Sequence, residues 1–78
     1  MLTGVQIRAA RSALTWSADK LAAHAGVAAK TVRRIEADDG VPQTTTRTLA
    51  KIQAAFEAAG IEFIGAPEDR PGIRMRAE

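Results

Sequence analysis

The chain holds no cysteine, no tyrosine, one tryptophan, two phenylalanines, three prolines and a single histidine in 78 residues. Without cysteine there is no disulfide framework, thiolate metal site or thiol chemistry. One histidine and no cysteine cannot assemble a zinc constellation, so neither a metal nor a cofactor is expected. The lone His24 is expected on an exposed helix face with no role. A serine–histidine–acid pattern, a glycine-rich phosphate loop and metal-spaced carboxylates are all missing, and Glu57 and Glu62 have no arrangement suited to acid–base work. The chain is therefore not expected to be an enzyme. No apolar run approaches the roughly 18–20 residues a membrane span needs. The N-terminus lacks the basic-then-apolar layout of a signal peptide, which sets the expectation of a cytoplasmic protein with no membrane partner.

Alanine is abundant, at 17 of 78 residues, which favours short, closely packed helices. A length this small fits one domain with a limited core, for which good helix packing or a second chain supplies the missing stability. The net charge of +2 conceals a division. Residues 1–36 carry Arg8, Arg11, Lys20, Lys30, Arg33 and Arg34 against Asp19 and Glu36, whereas residues 37–78 are net acidic. A basic N-terminal half points to a polyanionic partner.

Local signals predict four helices. Thr3-Gly4-Val5-Gln6 has the form of a capping box, with Leu2 and Ile7 at the staple positions, opening a helix over about 4–14. Ser17 caps a second helix over 18–25, with Asp19 in its first turn and Gly26 as its left-handed stop. A third runs from about 28 to 37, with Val32 and Ile35 inward. After the turn-rich Asp38-Asp39-Gly40-Val41-Pro42, a fourth begins near Thr44 or Thr45 and runs to Ala59, stopped by Gly60. Trp16 lies in the joint between the first two helices and reads as a core plug. Ala22 stands four residues before Gly26, where a larger side chain would push the next helix away, and Val32 and Ile35 seal the third helix on the first two. This is the logic of a helix-turn-helix corner.

Those residues carry a resemblance. Trp16-Ser17, Leu21-Ala22, Ala25-Gly26-Val27, Thr31-Val32 and Arg34-Ile35-Glu36, set within residues 2–59, resemble the phage-repressor and Cro-like helix-turn-helix family. The resemblance implies a third helix lying in the DNA major groove. It assigns Ala29, Lys30, Arg33 and Arg34 to base contact, where arginine and lysine suit guanine O6 and N7. Ser17 and Ala18 correspond to the phosphate-contact site at the start of the second helix, and Thr45, Thr46 and Arg47 are expected to grip the backbone in the same way. It also implies a structural ion pair between Arg11 and Glu36. The chain departs from the family's pattern at Ala18, which offers no side-chain donor, and at Ala28, which cannot cap the third helix. Asp38 and Asp39 would repel phosphates on a DNA-facing surface.

The tail changes period. Residues 61–64 and 73–76 read as short strands, with Gly65 through Gly72 as a long loop. They form either a hairpin or an intermolecular β element. Ile61, Phe63, Ile73 and Met75 are the candidate dimerisation residues, since two strands alone are marginal in water.

The expected architecture is thus all-α: a four-helix repressor-like helix-turn-helix domain over 1–60, followed by a β extension over 61–78. The expected function is sequence-specific binding of double-stranded DNA by a homodimer that regulates transcription, repression being the favoured sense. Symmetric dimers of this kind read half-sites about 34 Å apart. The alternative is an antitoxin or other protein-interaction module that binds a toxin or regulatory protein.

Overall fold

The first helix starts where the threonine hydroxyl directs it. In the computed structural model, which describes residues 2–76, helix α1 (Gly4–Ala13) is capped by Thr3. The Gln6 amide donates to Thr3 Oγ1 at 3.2 Å, and the Thr3 amide donates back to Gln6 Oε1 at 3.0 Å. Ser17 caps α2 (Ala18–Ala25) by accepting from the Lys20 amide at 3.0 Å, and Thr45 caps α4 (Thr46–Ala58) by accepting from Thr48 at 3.1 Å. Helix α3 (Ala29–Glu36) is the exception. Its N-cap, Ala28, makes no side-chain bond.

Gly26 ends α2 in the left-handed conformation, at φ 72°. The turn is closed by the Gly26 and Val27 amides, both donating to the Ala22 carbonyl. Only glycine reaches this backbone region without a steric cost, and the corner between α2 and α3 depends on it. Ile7, Leu21, Val32, Ile35, Ile52 and Phe56 are wholly buried and join the four helices in one apolar core. Trp16 is half-buried at its margin, stacked on Phe56 at 5.7 Å on one side and on His24 at 4.3 Å on the other.

A second glycine is fixed by proximity. A Cβ on Gly4 would lie 1.7 Å from the Asp38 carbonyl oxygen, and the Gly4 amide donates to the Gly40 carbonyl at 2.9 Å. The first turn of α1 therefore touches the backbone that follows α3 with no side chain between them.

The expectation of an all-α domain is overturned. Strand β1 (Ile61–Ala66) pairs antiparallel with β2 (Asp69–Met75) in a two-stranded sheet, making the fold mixed α/β. The strands run further than the composition of 65–72 suggested. Proline removes a ladder donor and is tolerated in strands mainly at edges and bulges. Here the register shifts between Ile64 and Ala66, so that Arg70 and Pro71 stand opposite the single residue Gly65. Pro71 falls within this bulge, and the connection shrinks to Pro67 and Glu68. Gly65, at φ 79°, allows the close approach, since a Cβ there would meet the Arg70 carbonyl oxygen at 2.3 Å.

The hairpin is sewn to the helices. Ile61, 2% exposed, belongs to the common core, and Phe63 meets Phe56 edge-on at 5.7 Å. The Gln6 side chain, also 2% exposed, donates from Nε2 to the carbonyls of Ile64 at 3.1 Å and Gly72 at 2.9 Å. On the outer face Glu62 and Arg74 form a two-pronged cross-strand ion pair.

Candidate nucleic-acid interface

Helix α3 sorts its side chains by the period of the helix. Val32, Ile35 and Glu36 are buried, while Lys30, Arg33 and Arg34 are exposed. Positions 30, 33, 34 and 37 fall on one face of a helix, so the three cations make a single outward stripe that Ala37 completes. Ala29 differs from them, being half-buried against the core.

The stripe has two different flanks. On one side Arg33 Nη2 lies 3.1 Å from Asp19 Oδ1, in the first turn of α2. On the other, Arg34 lines an open cleft of about 390 Å³ with Ile35, Asp38, Pro42 and Gln43. The cleft thus reaches the segment leading into α4. Among the described residues, Lys30 and Arg34 make no ion pair, whereas Arg33 does.

Behind the stripe, Arg11 and Glu36 clamp α1 to α3. Arg11 Nε and Nη2 reach the two Glu36 carboxylate oxygens at 2.8 Å each, and Nη1 donates to the Trp16 carbonyl at 3.0 Å. Donation of these hydrogen bonds to the Glu36 carboxylate holds the Arg11 guanidinium pKa above its ordinary value, although burial pulls the other way. The acidic turn after α3 is also partly neutralised. Arg8 donates to the Glu36 carbonyl and to the Asp39 carboxylate, and Asp38 Oδ1 accepts the Gly40 amide at 2.9 Å.

The residues assigned to phosphate contact occupy two helix starts. Ser17 is exposed, with its oxygen engaged as the α2 cap, and Ala18 is half-buried against the core. Thr45 bonds Thr48 through both backbone and side chain, leaving the exposed Thr46 and Arg47 facing solvent. The four candidate dimerisation residues share one face of the hairpin, since Ile61 pairs with Met75 and Phe63 with Ile73. That face turns toward the chain's own helices. Ile61 is buried, Phe63 and Ile73 are half-buried, and only Met75 is largely open, at 52%.

No protein-family model matches the chain, and none of the curated proteins matches it. The described helices include none long and apolar enough to cross a membrane.

Two residues that the sequence reading passed over belong to this surface. Asp19, a favourable charge at a helix start on sequence grounds, also holds Arg33. Gln43, which falls between the turn-rich segment and the fourth helix and has no role in the sequence reading, lines the cleft beside Arg34. The position of Gln43 immediately after the helix-breaking Pro42 was a signal for the second; a fourteen-residue separation left none for the first.

Proposed function

We propose that this protein binds double-stranded DNA and regulates transcription, with α3 entering the major groove as in the phage-repressor and Cro-like proteins it resembles. The observation that carries the reading is the outward stripe of Lys30, Arg33 and Arg34 on a helix fixed from behind by the α2 corner and by the Arg11–Glu36 clamp. A groove-reading helix needs both properties, since base edges reward only donors held in a definite register. Lys30 and Arg34 carry the base contacts, Ala29 lies at the start of the same helix, and Ser17, Ala18, Thr45, Thr46 and Arg47 meet phosphates. A homodimer reading two half-sites suits so small a module. Its interface then runs along a strand edge and through Met75, because Ile61, Phe63 and Ile73 are packed against their own helices.

A second reading, binding to a toxin or another regulatory protein, draws on the exposed apolar side chains of Val5, Val41, Ile64 and Met75. Selection of bound duplexes from a random pool, followed by affinities titrated against salt, separates the two. The DNA reading expects an enriched palindromic motif and a log affinity that falls linearly with log salt. Lys30→Ala or Arg34→Ala should then relax selectivity at particular base pairs, at about 1–3 kcal/mol each. Binding at the nonspecific level, with no motif, defeats it.

A further inference from the structure

The three cations of the α3 stripe are not equivalent, and the difference comes from α2. Arg33 sits on the α2 flank of the stripe, and its Nη2 is 3.1 Å from the Asp19 carboxylate. Both side chains are well exposed, at 60% and 73%. An exposed pair of this kind adds little to fold stability. What it does is hold the Arg33 guanidinium over the first turn of α2 and offset its charge, while Lys30 and Arg34 keep theirs. An arginine that reaches phosphate binds irrespective of sequence, and does so most freely in a loose complex whose register no base contact fixes, whereas selectivity comes from the residues that read base edges.

We infer that Asp19 is a specificity-setting residue that restrains Arg33 from indiscriminate phosphate contact, leaving recognition to Lys30 and Arg34. The inference rests on the DNA-binding reading above. The carboxylate acts through Arg33, so Asp19 is a positioning residue, not a contact residue. Its effect is bounded by the strength of an exposed pair, about fivefold in affinity at most. Release of one cation to the phosphates adds up to about 0.9 to the slope of log affinity against log salt.

The test is a double-mutant cycle of Asp19→Asn, Arg33→Ala and the two together, measured on the selected duplex and on a scrambled duplex of equal composition. Thermal melts establish that each variant folds. Asp19→Asn should tighten binding to the scrambled duplex about two- to fivefold, steepen its salt slope, and tighten the selected duplex less, so that the selectivity ratio falls. Arg33→Ala alone should weaken the scrambled complex little, and in its background Asp19→Asn should no longer alter the ratio. An Asp19→Asn effect equal in both backgrounds makes the carboxylate a simple repulsive charge and overturns the inference, as does an unchanged ratio. If the wild type keeps its selectivity in either case, the DNA-binding reading survives. A wild type that selects no duplex overturns both.

Discussion

Changing Gln6 to glutamate alters one terminal group and should detach the hairpin from α1. The Gln6 oxygen accepts from the Thr3 amide and hydroxyl, and glutamate can keep that half of the arrangement. The nitrogen donates to the Ile64 and Gly72 carbonyls, and there a carboxylate oxygen would face two other oxygens. Leaving a buried acceptor unpaired costs about 1–3 kcal/mol. Both contacts are only partly buried, so the sum is about 2–4 kcal/mol by the same measure. A domain of this size loses roughly 4–8 °C of Tm per kcal/mol, which makes the expected drop roughly 10–30 °C at neutral pH. The loss should also depend on pH. A protonated carboxyl donates one hydrogen bond to a carbonyl, so folding raises the introduced group's pKa above its unfolded value of about 4.3. Stability from that protonated form is fully present below the unfolded pKa and disappears as pH rises through the raised folded pKa. The gap between Gln6→Glu and wild type, read from circular-dichroism melts, is therefore narrower near about pH 4, where one of the two bonds is restored, and widest near about pH 7. Gln6→Ala, which lacks all four bonds, should be destabilised with no such widening. A Gln6→Glu protein that melts within a few degrees of wild type at neutral pH refutes the claim that this amide joins the hairpin to α1.

Other perturbations test the remaining contacts. Gly4→Ala should destabilise by about 1–3 kcal/mol despite alanine's better helix propensity, because the new methyl meets the Asp38 carbonyl; a denaturant midpoint at or above that of wild type contradicts the close approach. Ala28→Ser should stabilise by about 1 kcal/mol by giving α3 the cap it lacks, seen as a rise in Tm and in amide-exchange protection of its first turn. Arg11→Met should cost about 3 kcal/mol in chemical denaturation, since it leaves the Glu36 carboxylate buried beside an apolar side chain. Because folding raises the Arg11 pKa, the wild-type pair's contribution through Arg11 is constant from neutral pH upward and is lost only through strongly alkaline values.

The helices were legible because their signals are local. Thr3, Ser17, Thr45 and Gly26 each act within four residues of themselves, and each stands where its chemistry placed it. The outward turn of Lys30, Arg33 and Arg34 followed from the position of Val32 and Ile35 within one helical period. What escaped depends on contacts between segments distant in sequence. Gly4 looked like an ordinary first-turn residue, and its small size matters only because Asp38 arrives against it. Gln6 was recognised as half of a capping box, while its nitrogen finds partners 58 and 66 residues away. Pro71 and Gly65 suggested an open loop, since each weakens a strand alone; set opposite one another they make a bulge that lets the ladder continue. The acidic pair after α3 reads as unfavourable on a DNA-facing surface, and nothing local in the sequence announces that Arg8, 31 residues away, pairs with Asp39.

The stitch from Gln6 to Gly72 also constrains how the molecule comes into being. A chain emerging N-terminal end first can form α1 early, since the capping box closes within four residues. The side-chain nitrogen of Gln6 then lacks its two carbonyl partners until the chain has been made past Ile64 and Gly72. Contacts of such long separation are entropically slow to close. The four helices can thus collapse during synthesis, but the last locking step waits for the ribosome to deliver the hairpin.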